Sequence, residues 1–153
     1  MNPALKWLAF AGIVLLASEA SAACGVTATD VNFGNYDIFD PAPLTSTGTV
    51  TVNCDEAPPP DVTISIEPSM HSGLFNPRQM KLTTGADRLT YNLYTDAGRT
   101  SIWGDGAGGT SVVILKNVTK NKPRTATIYG SLPPRQNISA GVYGDLLTVT
   151  ILW

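Results

Sequence analysis

From residue 24 onward the chain never sustains a helical period. Short runs of alternating apolar residues recur instead, each cut off by proline, glycine or aspartate. Successive side chains of a strand point to opposite faces, so period-two alternation is the mark of a strand with one face buried. "GTVTVNC" sets Val50, Val52 and Cys54 on one face, "DVTISIE" sets Val62, Ile64 and Ile66, and "RLTYNLYT" sets Leu89, Tyr91 and Leu93. Residues 26–33, "TSVVILKNV", "RTATIYGSL" and the terminal "LLTVTILW" read the same way. Between them stand "DPAP", "APPP", "DAG", "GDGAGG" and "LPPRQN", which are turn chemistry. Short strands at such spacing predict an all-β antiparallel sandwich. With 153 residues, no break in composition and no internal repeat, one domain is expected over residues 23–153.

The last run raises a question of its own. Leu147, Val149, Ile151 and Trp153 alternate with Leu146, Thr148, Thr150 and Leu152, and the pattern continues to residue 153. A strand needs neighbours on both edges or a device that protects the open one.

The first 22 residues read as a signal peptide. Lys6 supplies the positive charge, residues 7–17 ("WLAFAGIVLLA") form an apolar stretch short for a bilayer span, and Ala20-Ser21-Ala22 fits the cleavage rule. Cleavage after Ala22 leaves a chain that begins Ala23-Cys24. Lipidation of Cys24 is disfavoured because Ser21 stands where that route wants a large aliphatic residue. Export permits a disulfide, and Cys24 with Cys54 is the pair available. Closing that loop is worth about 3 to 4 kcal/mol in the chain-entropy model.

The supply of catalytic groups is poor. His71, in the turn "PSMHSG", is the single histidine and reads as a solvated side chain, so a histidine-based zinc site is not expected. No serine sits in a G-x-S-x-G elbow. "WGDGAGGTS" lacks the lysine of a phosphate loop and leads into a strand. Asp96 and Asp105 have no calcium ligand ladder around them. The acceptor spacings at Asn117 and Asn137 read as accidental. Phe33, Tyr91, Tyr94, Trp103, Tyr129 and Tyr143 are expected in the core or at its ends rather than as a sugar platform. A net charge of −2 with 14% charged residues points to no nucleic acid and no anionic membrane. Neither an enzyme, a metal, a cofactor nor a small-molecule substrate is expected.

Several segments in order resemble spore coat protein U domains. They are "CGVTATDVNFGNYD", "GTVTVNC", "NPRQMKL", "LTYNLYTDAGRTSIWGDG", "IYGSLPPRQNISAGVYGD" and "LTVTILW". Members of this family include subunits of archaic chaperone–usher pili and secreted spore-coat proteins. The resemblance implies an immunoglobulin-like sandwich lacking its last strand. A periplasmic chaperone lends that strand during export through an outer-membrane usher, and a neighbouring subunit supplies it in the fibre. Strand addition of this kind draws affinity from main-chain hydrogen bonds and specificity from side-chain pockets. Leu147, Val149, Ile151 and Trp153 would then wall the acceptor groove. A donor needs about ten residues at about 3.3 Å each, and only Ala23 precedes Cys24 after the expected cleavage. The expected role is therefore a terminal or minor subunit, in the periplasm in transit and then on the cell surface. A self-contained coat protein and a lectin-like tip adhesin using Trp103 are the alternatives.

Overall fold

The structure, a computed structural model, describes residues 24–55 and 61–153. The expected signal peptide, Ala23 and the "APPP" turn lie outside the described residues. Among the described residues there are nine strands: β1 (Cys24–Ala28), β2 (Leu44–Cys54), β3 (Asp61–Ile66), β4 (Arg78–Leu82), β5 (Arg88–Tyr94), β6 (Val113–Lys116), β7 (Arg124–Leu132), β8 (Tyr143–Gly144) and β9 (Val149–Leu152).

They form two sheets, one of order β1-β2-β7-β5-β4-β8 and one of order β6-β3-β9, with every named pair antiparallel. The core lies between them. It takes Val50 and Val52 from β2, Val62, Ile64 and Ile66 from β3, Leu89, Tyr91 and Leu93 from β5, and Ile128 and Leu132 from β7. These are the residues that alternation places inward, and their polar neighbours Thr51, Thr63 and Thr90 fall on the half-exposed positions between them. β1 is tied to β2 twice, by its ladder and by a disulfide between the register partners Cys24 and Cys54.

Residues 26–33 do not form one strand. β1 ends at Ala28, and after the bond from Thr29 N–H to Thr49 O the chain leaves the ladder. It then crosses the sheet as an arm, with Val31 and Phe33 packed against the core. Two glycines make the crossing possible. A Cβ at Gly130 would stand 2.6 Å from Val31 Cγ1 and 2.7 Å from Phe33 Cζ, and one at Gly48 2.9 Å from Thr29 O. The terminal run is shortened too: β9 begins at Val149, while Thr148 O still accepts from Glu67 N–H.

The 95–101 turn is held by one carboxylate. Asp96 Oδ1 accepts from Ser101 N–H at 2.8 Å and Asp96 Oδ2 from Thr100 Oγ1 at 3.0 Å. The bond from the Ser101 amide is the main cause that holds the Asp96 carboxyl below its ordinary range. A depressed carboxyl stabilises the folded state above its unfolded value of about 4, and that contribution is lost as pH falls through the lower folded value. The amide proton shifts of Thr100 and Ser101 should therefore move together below about pH 4. In Asp96→Asn the same two amides should give acid-insensitive shifts; a titration that survived the substitution would assign the turn to another group.

Candidate functional site: an open cleft beside the last strand

β9 pairs only with β3 among the described residues, so its second edge carries no ladder. β1, at the border of the other sheet, pairs only with β2 among the described residues. Where β1 ends at Ala28 and β9 begins at Val149 the sandwich opens into a cleft of about 1100 Å³, which both residues line. The arm, residues 28–38, forms one wall and residues 138–147 the other; Ile66, Leu89, Leu93, Ile128 and Leu132 reach its floor from the core. The cleft narrows where β1 and β9 come within 8 Å of each other, Cα to Cα. A strand hydrogen-bonded to both borders needs about 9.6 Å, twice the spacing of neighbouring strands. Full occupation would require β1 and β9 to part at that end.

Of the four residues expected along the groove, Leu147 and Val149 line the cleft. Ile151, registered opposite Ile64, is half-buried against the core and does not line it. Trp153 is 46% exposed and is also absent from the lining. The wall contributed by Val31, Phe33 and Tyr36 was not expected from the sequence. Val31 and Phe33 were legible as an alternating pair, but nothing local says that they leave the sheet.

Behind the cleft lies a polar interior that the residue pattern did not announce. Arg78, on β4, is fully buried. Its guanidinium donates to Asn92 Oδ1 at 2.9 Å and to the carbonyl oxygens of Trp103 (2.7 Å), Glu67 (3.1 Å), Phe75 (3.3 Å) and Ile66 (3.3 Å). Burial pulls Arg78 below the usual arginine range, while Tyr91 and Asp145 oppose the shift. The Tyr91 hydroxyl donates to Asp145 Oδ2 at 2.7 Å, and burial, reinforced by Asp145, keeps that phenol protonated. On the other side of Asp145, His71 Nε2 is 3.9 Å from Oδ1, with side-chain exposures of 24% for His71 and 2% for Asp145. His71 is thus not the solvated turn residue expected from "PSMHSG"; Met70 and Leu146 share its hollow, next to the buried carboxylate.

The remaining candidates resolve plainly. Trp103 is 0% exposed and its indole N–H donates to Ile64 O at 3.1 Å, so it is core and offers no sugar platform. Asp105 spends its carboxylate on Ala107 N–H and the Thr110 hydroxyl. Among the described residues no three metal-ligating side chains converge.

A model of the Spore Coat Protein U domain matches residues 11–150. The chain belongs to that family. Protein U of Myxococcus xanthus is 31% identical over 129 residues, which span 79% of this chain and 70% of that protein. A chain of the chaperone–tip adhesion subunit pre-assembly complex CsuC–CsuE, from the archaic chaperone–usher Csu pili of Acinetobacter baumannii, is 21% identical with a TM-score of 0.58. That likeness covers 86% of this chain and 40% of the solved one, so this chain spans less than half of its neighbour. HdaB, the minor tip subunit of the E. coli Hda pilus, is 15% identical over 84% of this chain and 79% of its own, with a TM-score of 0.45. The fold is thus the immunoglobulin-like antiparallel sandwich of the family, and the chain is a structural protein rather than an enzyme.

Proposed function

We propose that this chain is an exported structural subunit of a chaperone–usher type pilus or surface fibre, and that the cleft accepts a donor strand. The observation that carries the reading is the coincidence of an unpaired edge on β9 with an apolar cleft that opens onto the core. An exposed edge above an apolar floor is a template for another chain and an aggregation hazard without one. Its partners are a periplasmic chaperone, an usher and a neighbouring subunit. Family membership and the fold shared with a subunit crystallised beside its chaperone support the same reading. A terminal or minor place in the fibre belongs to this proposal and rests on cleavage after Ala22, which N-terminal sequencing of the exported chain tests. The coat-protein alternative draws on Protein U and on the narrowed end of the cleft, where β1 and β9 already approach.

The test is export of the full chain to the periplasm alone and with a chaperone, followed by thermal unfolding with and without a ten-residue donor peptide. At a hundred times its Kd the peptide adds about 2.7 kcal/mol, or roughly 10 °C in a domain of this size. Val149→Asp places a charge in the cleft wall, where it has no partner. In that variant the gain should vanish and the soluble yield should collapse. A wild-type chain that unfolds cooperatively alone and ignores every peptide would hand the case to the self-contained coat protein.

A further inference from the structure

One group in the cleft does not suit an apolar occupant. Asp30 and Asp37 also line the cleft, but both are exposed; Asp145 is the lining carboxylate whose side chain is buried. Its Oδ2 accepts from Tyr91, whereas Oδ1 is buried and has no hydrogen-bond partner among the described residues. Each group that faces it falls short of supplying one. His71 Nε2, from the 67–77 loop, stands at 3.9 Å, beyond hydrogen-bond range. Arg78, from β4, directs its terminal nitrogens to carbonyls and to Asn92, and its Nε, buried and without a partner among the described residues, makes no bond to Asp145 either, so it lends the carboxylate a field and no bond. Lys81 shares the hollow behind Asp145 and makes no hydrogen bond to it. A buried carboxylate oxygen left unpaired is costly, and an occupant with only apolar side chains brings no donor to it.

Resting on the acceptor reading, we propose that the strand which fills this cleft carries one hydrogen-bond-donating side chain (a hydroxyl, amide or ammonium) at the inward position that meets Asp145. Its other inward positions are apolar, matching Leu89, Leu93, Ile128, Leu147 and Val149. Asp145 is then a specificity-determining residue. It selects the register of the incoming strand, because a slip by one inward position would set an apolar group on the carboxylate and the donor against leucine. Such a site discriminates by what it leaves unpaired as much as by what it pairs.

The probe is a set of blocked ten-residue peptides in which valine alternates with threonine between terminal lysines, with one inward valine at a time changed to serine, lysine or glutamate. Binding to the full chain is measured by calorimetry, and each variant's unfolding is recorded without peptide. One position should favour serine or lysine over valine by about tenfold, the scale of a single charge-assisted hydrogen bond, and should reject glutamate. Asp145→Leu should reverse that preference so that the all-valine peptide binds best, Asp145→Asn should flatten it, and His71→Ala should leave it in place. If Asp145→Leu does not fold, the flattening in Asp145→Asn decides. An all-valine peptide that binds tightest to the unaltered chain, or a preference that persists without the carboxylate, overturns the proposal. So does a preference that vanishes in His71→Ala, which would make the imidazole the missing donor. A chain that binds no peptide at all overturns the acceptor reading itself, a pattern distinct from the others.

Discussion

Arg78→Met lowers the stability of the folded chain by about 3 to 5 kcal/mol, the scale for removing one partner from a buried charged network. The methionine fills most of the volume, so packing is not the cause. What is lost is the set of donors that satisfies Asn92 and the carbonyl groups of Ile66, Glu67, Phe75 and Trp103. Those acceptors come from four separate stretches of chain, and each carbonyl left unpaired in the interior costs about 1 to 3 kcal/mol, with partial relief from relaxation. Arg78→Lys recovers less than half, because a single ammonium cannot span the fork of a guanidinium. Urea unfolding measures both: the midpoint falls with an unchanged slope. A methionine variant within about 1 kcal/mol of the parent would mean that the network contributes little net stability.

Reduction of the Cys24–Cys54 bridge ranks second, at about 3 to 4 kcal/mol on chain-entropy grounds for its sequence separation of 30. That corresponds to a fall in Tm of roughly 10 to 15 °C. The effect reaches beyond the bridge. β1 borders the sheet and is paired on one side only, and the arm that walls the cleft continues directly from it. Freed from Cys54, β1 frays and the wall loosens, so a reduced chain or a Cys54→Ala variant should also bind donor peptide less tightly. A Tm indifferent to reductant would remove the bridge from any account of stability.

Much of the sandwich could be read before any coordinates, because alternation is local information. The inward faces of β2, β3 and β5 are the triplets that the pattern singles out, and Trp103 is core as burial preference suggests. What escaped is set by distant partners. The run over 26–33 has strand composition throughout, yet it departs after Thr29 because Gly48 and Gly130, remote in sequence, leave room for an arm to cross. Ile151 and Trp153 lie off the cleft because pairing with β3 decides which part of β9 borders it. A two-residue strand such as β8 is too short to show any period. Arg78 in "NPRQMKL" and Asp145 in "VYGDL" look like surface residues, since no property of a side chain's neighbours in sequence announces a carbonyl brought to it by another loop.

The register of the central ladder sets a clock. β2 meets β7 through pairs as far apart as Leu44 with Leu132 and as near as Val52 with Arg124, so no part of that ladder can form until most of the chain is present. Domains built on such distant pairings fold in milliseconds to seconds. For that interval the inner edge of β2, the longest strand, stands open to whatever reaches it first. The yield of native protein is then decided by a race between β7 and any competing strand, rather than by the final free energy, and a partner that shields the edge raises yield without changing the end state.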